Sequence, residues 1–304
     1  MLSHNWTFLL VGGASLCSAV SGSLIRKNND FKKATITGFL SFYFLMSFLF
    51  AYLLNISFKE PWSPIFITIG GISGIVIACL MLTIGMALKK GPMGLTFAFQ
   101  NSGALAPAFI LALIFPISFG FVITPGNVIG MLLVLIGLFW AAFSKQERTF
   151  SKEWFVFVLL AFCLQALILL IYQWRCLLFT ENIPPHTLIP FKRSPREDLW
   201  FMPAMFFFAW IMQTVYFIAK ERRWFRPSEL ILGGIAGIGN GVATFLLLES
   251  TKMASPSQKM VIFPLFAVLI ILLTNLYGRI AYKEGANWIA NSCCVAGIII
   301  GSLF

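Results

Sequence analysis

Charge is what this 304-residue chain has least of: 11% of its residues are Asp, Glu, Lys or Arg, and only 11 of them are acidic. A soluble domain of this length needs far more charge to cover its surface, so lipid is the solvent for most of the chain. Two histidines and no C-x-x-C pair leave no metal-ligand spacing. Cys17, Cys79, Cys163, Cys176, Cys293 and Cys294 fall in or at the ends of apolar stretches and read as small packing residues rather than disulfides. No G-x-x-x-x-G-K-[ST] loop offers to hold ATP, and no H-E-x-x-H or G-x-S-x-G motif offers hydrolytic chemistry. The chain therefore reads as neither an enzyme nor a cofactor binder.

What is present is apolar: 59% of residues are hydrophobic, 33 are Phe, and the mean hydropathy is +0.88. A spanning helix takes about 20 apolar residues. Cutting at charged and Pro/Gly-rich breaks predicts spans near 6–25, 34–54, 64–88, 93–115, 121–143, 154–176, 199–219, 229–249, 257–277 and 287–304. The expected fold class is thus all-α integral membrane, with ten transmembrane helices in one membrane domain. The first run has no basic segment before it and suits a span better than a cleavable signal. The long connection 177–198 is too polar and proline-rich to enter lipid and is expected to be an extramembrane loop.

The net charge of +11 sits in short clusters between apolar runs, not on a basic face. That pattern points to membrane lipid as a partner and away from nucleic acid. Connections 1–2, 3–4, 5–6, 7–8 and 9–10 hold about two-thirds of the Lys and Arg. By the positive-inside rule both termini lie outside, in a multi-pass protein of the cell (inner) membrane.

An internal repeat organises the chain. Gly70-Gly71-Ile72-Ser73-Gly74-Ile75 matches Gly233-Gly234-Ile235-Ala236-Gly237-Ile238 at an offset of 163, which holds until Lys89 meets Lys252. Pro107-Ala108-Phe109 then resembles Pro264-Leu265-Phe266, and Ile129 with Gly137 resembles Ile289 with Gly297. A five-span unit is odd in number, so its second copy enters the membrane from the opposite side. Residues 1–148 and 149–304 are therefore expected to be inverted five-helix repeats around a central cavity, as in secondary transporters.

This layout, with glycine-rich third and eighth helices each leading into a Pro-x-Phe helix, resembles the drug/metabolite transporter superfamily, EamA-like group, over nearly the whole chain. The resemblance implies a basket of ten helices with a cavity lined mainly by spans 1, 3, 4, 6, 8 and 9. It leaves the substrate open among sugars, amino acids, nucleotide sugars, phosphorylated metabolites and drugs. Span 1 lacks the glutamate that the small multidrug members carry, which counts against proton-driven export of cations.

Polar residues within the spans are the candidate site. Gln100, Asn101, Gln165 and Asn240 share a mid-membrane depth, where an amide without a partner is costly. They serve either as interhelical glue or as substrate ligands, and their common depth favours the second. Ser15 and Ser18 share a face of span 1, although serine in a membrane helix ordinarily bonds its own backbone. Lys259, at the start of span 9, offers an anionic substrate a point charge.

Glu249 is the candidate for coupling, with an interfacial ion pair to Lys252 or Lys259 as the competing reading. Lys89 and Lys252, equivalent under the repeat, are candidate gates at opposite faces; the alternative is snorkelling to headgroups. Arg175, with Gln173 and Trp174, reads as an interfacial anchor. Trp6, Trp62, Trp140, Trp154, Trp200 and Trp288 read as an aromatic belt. Trp210 and Gln213 lie deeper, against lipid or cavity.

The function expected is secondary active or facilitative transport of a small polar metabolite, neutral or anionic, by alternating access. The partners are then that small-molecule substrate and a coupling proton or counter-substrate. The alternatives are an efflux carrier for apolar or drug-like compounds and a membrane subunit without transport activity.

Overall fold

The computed structural model describes residues 2–31, 34–58, 63–107, 110, 124–143, 152–177, 197–253, 256–283 and 288–303. Helices account for nearly all of them: α1 (Leu2–Asp30), α2 (Ile36–Phe58), α3 (Pro64–Lys90), α4 (Met93–Ser102), α5 (Pro125–Phe143), α6 (Lys152–Leu177), α7 (Phe201–Glu221), α8 (Pro227–Met253), α9 (Pro256–Tyr282) and α10 (Trp288–Leu303). No strand occurs among the described residues. Seven segments, in α1, α2, α3, α6, α8, α9 and α7 with the turn before it, are long and apolar enough to cross a membrane. In hydrocarbon the backbone must satisfy its own hydrogen bonds, and a helix does so within one segment. The chain has the build of a multi-pass membrane protein.

Helix ends depart from the predicted spans for identifiable reasons. Helix α1 continues past the apolar window through Arg26 to Asp30, where Arg26 and Asn29 donate to carbonyls of α3 and Asp30 accepts from Tyr282 of α9. Helix α4 stops at Ser102 and tightens into a 3-10 turn, Gly103–Leu105. Pro107 has no N–H for the carbonyl of Gly103, so the α-helical ladder loses a bond there. The predicted continuation of this span to residue 115 lies largely outside the described residues, as do residues 178–196 of the long connection. The last part of that connection is not a solvated loop: Asp198, in the 3-10 turn Glu197–Trp200, is buried.

Packing is paired. Helix α2 lies against α7 and α8, and α7 against α2 and α3; α8 also packs on α1, α3 on α6, α4 on α9, and α5 on α10. Exchanging each helix for the one five places away turns α1 on α8 into α6 on α3, and α2 on α8 into α7 on α3. The same correspondence appears at atomic scale. A Cβ on Gly70 would sit 2.6 Å from the carbonyl oxygen of Phe201 in α7, and one on Gly233 would sit 2.7 Å from that of Phe39 in α2. One turn on, Gly74 abuts the Met205 carbonyl as Gly237 abuts that of Tyr43. Absent side chains thus let two backbone pairs touch.

The aromatic belt needs one correction. Trp6, Trp140 and Trp288 are exposed, as an interfacial belt requires, and Trp200 is half-buried. Trp154 is fully buried, with its indole N–H donating to Thr96 Oγ1 at 3.1 Å. It fills the space over Gly91 and ties α6 to the start of α4. Trp62 lies outside the described residues. Trp210 stacks parallel to Phe48 with centroids 6.3 Å apart, and Gln213 is buried, donating to the Ala78 carbonyl at 2.8 Å. Both hold α7 to its neighbours.

Candidate functional site

Four helices present a stripe of the same spacing to one central cavity: Ser18, Ser21, Gly22 and Ile25 of α1; Ile77, Leu80, Met81 and Ile84 of α3; Gln165, Ile168, Leu169 and Tyr172 of α6; Asn240, Ala243, Thr244 and Leu247 of α8. Steps of three, four and seven keep each set on one helical face. The α3 and α8 stripes correspond residue for residue at an offset of 163, and the α1 and α6 stripes at 147. Phe97, Gln100 and Asn101 of α4, Phe266 and Ile270 of α9, and Tyr43 of α2 complete the wall.

The cavity volume is about 80 Å³. An apolar cavity of about 150 Å³ holds a benzene. The space therefore admits water in this conformation, and a metabolite enters only if the helices part.

Amides define its chemistry. Gln100 donates from Nε2 to Gln165 Oε1 at 3.0 Å, joining α4 to α6 across the cavity wall. Asn101 donates to the Phe97 carbonyl at 2.9 Å. Asn240 donates to Ser47 Oγ at 3.2 Å, while Ser47 spends its own proton on the carbonyls of Gly237 and Tyr43. Ser21 donates to the carbonyls of Cys17 and Ala236. Two buried atoms of the wall have no hydrogen-bond partner among the described residues: Gln100 Oε1 and the Tyr43 hydroxyl. No charged side chain lines the cavity among the described residues.

Side-chain bridges tie helix ends at both ends of this cavity. At the end where α6 and α8 finish, Arg175 meets Asp198 at 2.9 Å, both essentially inaccessible to solvent (0% and 1%). Lys252 contacts the other Asp198 oxygen at 3.0 Å and Glu249 at 2.6 Å. The Arg175 guanidinium lies over the Phe201 ring, 4.8 Å from its centroid. These contacts join α6, α7 and α8 a few residues beyond Tyr172 and Leu247 of the cavity wall.

At the opposite end, Arg26 directly follows Ile25 of the wall. Its guanidinium donates to the Leu88 carbonyl and lies over the Tyr282 ring at 5.2 Å. The Tyr282 hydroxyl donates to Asp30 at 2.9 Å, and Asn29 donates to the Gly85 carbonyl at 3.3 Å. Helices α1, α3 and α9 are joined there. Each end thus has one arginine stacked on an aromatic ring, Arg26 from α1 and Arg175 from α6.

The structure brings Gln100, Asn101, Gln165, Asn240 and Ser18 to one cavity. Ser15 is buried but outside the wall, donating to the carbonyls of Val11 and Phe266. Glu249 stands beyond the cavity, paired with Lys252 one turn along its own helix. Lys89 is exposed at the end of α3, so the two lysines have unlike surroundings, and Arg26 is the cation that binds the α3 end. The side chain of Lys259 lies outside the described residues. Arg175 is not the interfacial anchor expected from its neighbours; its charge is buried against Asp198.

Sequence reasoning passed over Tyr172 and Thr244, although they follow Gln165 and Asn240 at seven and four residues and so share their faces. Tyr43 carried no such signal, since no amide or charge stands near it in α2. Asp198 carried none either, because the long connection separates it from Arg175.

No family model and no curated protein matches the sequence. A solved structure described only as "Crystal structure of protein" shares the fold, with a TM-score of 0.63 and 17% sequence identity over 98% of this chain and 96% of that one. The likeness spans both chains nearly end to end, so the helical arrangement as a whole is shared by a distant sequence.

Proposed function

We propose that the protein is a secondary transporter that moves a small polar metabolite by alternating access, built from about ten spans as two inverted five-helix repeats. The observation that carries this reading is the cavity wall itself. Stripes at constant offsets, 163 between α3 and α8 and 147 between α1 and α6, meet around unpaired polar atoms. Repeat-related helices that pack alike can exchange conformations, because a packing adopted by one half is sterically open to the other. The two arginine bridges are then the closures: Arg175–Asp198–Lys252 on one side and Arg26 with Leu88 and Tyr282 on the other. The layout is the one the drug/metabolite transporter superfamily implies.

Labelling tests this directly. In a background with all six cysteines replaced, Ala243→Cys places one thiol in the wall. An impermeant maleimide is expected to label it faster from the α6/α8 end when Asp198→Asn loosens that closure, and faster from the opposite end when Arg26→Gln does so. A static subunit gives the same labelling in all three backgrounds, and that result would remove the transporter reading.

A further inference from the structure

We infer that the cavity takes an uncharged solute rich in hydroxyls, which can both donate to and accept from the wall: a polyhydroxylated compound such as a sugar, polyol or nucleoside, and not a phosphorylated or carboxylated one. The inference rests on the transporter reading and narrows its substrate, which composition leaves neutral or anionic.

Part of the wall is already committed to hydrogen bonds within the protein. Asn101 must turn its NH₂ to the Phe97 carbonyl, because a carbonyl only accepts. Asn240 must turn its NH₂ to Ser47, because Ser47 already donates to two backbone carbonyls and has only lone pairs left. Ser21 is committed in the same way to Cys17 and Ala236, Gln100 donates to Gln165, and the Tyr172 hydroxyl donates toward Met205 Sδ at 3.3 Å. What remains for a ligand is of both kinds: acceptors in Gln100 Oε1 and the side-chain oxygens of Asn101 and Asn240, and donors in the Gln165 NH₂, whose own oxygen accepts from Gln100, and in the second proton of each committed NH₂. The free Tyr43 hydroxyl can both give and accept.

Among the described residues the wall has no cation to neutralise a phosphate or carboxylate. It also has no carboxylate to neutralise a cation, and burying an unpaired charge is far costlier than burying a hydroxyl that finds an acceptor. Neutral hydroxyls fit on both counts. The rings of Tyr43, Tyr172, Phe97 and Phe266 supply apolar surface for the carbon face of such a solute.

The test is the melting temperature of the purified protein against glucose, mannitol and uridine, with glucose 6-phosphate, aspartate and tetraethylammonium as charged counterparts. A ligand that binds only the folded state raises it by mass action. At least one neutral probe is expected to raise it and glucose 6-phosphate is not. Gln100→Leu, which removes the unpaired acceptor at nearly constant volume, is expected to weaken that probe about tenfold. Tyr43→Phe, which keeps the ring, provides a second variant and is expected to weaken it as well. If glucose 6-phosphate or aspartate raises the melting temperature, the site takes anions and the inference fails while the transporter reading stands; loss of that shift in Lys259→Met would assign the charge to Lys259. Binding of tetraethylammonium alone overturns the inference in the same way. If no probe of any class shifts the melting point of the folded protein, the inference fails and the transporter reading loses its solute site.

Discussion

Asp198→Ala is expected to destabilise the protein by about 3–5 kcal/mol, the range for breaking a buried ion pair by removing one side of it. Arg175 has no water to turn to, its side chain being 0% exposed, and the Asp198 carboxylate lies against it. Lys252, partly exposed, loses one of its two acid partners and retains Glu249. The pair itself contributes little net stability, because desolvating two charges offsets their attraction. Arg175→Met combined with Asp198→Leu is therefore expected to melt close to the wild type. Thermal unfolding in detergent separates the three proteins. Equal losses in the single and double variants would mean that the cluster is held by packing rather than by charge. In the transport account the double variant has a further property: it is stable but its closure no longer depends on an ion pair.

Substitutions on the glycine faces are expected to give the second large effect, and to give it twice. Gly233→Ala drives a methyl group toward the Phe39 carbonyl, and Gly70→Ala drives one toward the Phe201 carbonyl, at nearly the same separation. Neither backbone can yield without parting the helices, so each change is expected to cost about 1–3 kcal/mol, the range for overpacking. Gly234→Ala, whose nearest neighbours are 3.9 Å away, is expected to stay within about 0.5 kcal/mol. Melting curves of the three variants are the check. Similar losses at Gly70 and Gly233 agree with two halves that pack alike. A loss at Gly233 with none at Gly70 would leave the repeat as a sequence pattern without a matching energetic role.

Much of the helical layout was legible because hydropathy and breaks report directly on a lipid environment. Glycine spacing reported on backbone contact for the same reason: only a missing side chain permits it. The amides were legible as well, since Gln100, Asn101, Gln165 and Asn240 stand out against hydrocarbon. What escaped was everything set by distance in space. Trp154 sits near a span end like the other belt residues, yet the void over Gly91 draws it inward. Arg175 lies beside Gln173 and Trp174 as an anchor would, and only the fold brings Asp198 to it across residues 178–196. Tyr43 lies in a helix with no amide or charge beside it to mark the inner face. The end of α4 depended on one missing N–H at Pro107, which a hydropathy window cannot register.

Solute counterflow in reconstituted vesicles tests the central claim most directly. Vesicles are loaded with a high concentration of whichever neutral solute stabilises the protein, and a trace of the labelled solute is added outside. The account predicts transient accumulation of label above equilibrium, reduced by Gln100→Leu, because one cavity opens in turn to each side. Stabilisation by the solute with no entry of label beyond that in protein-free vesicles would contradict it, and would make the protein a membrane-embedded binder rather than a carrier.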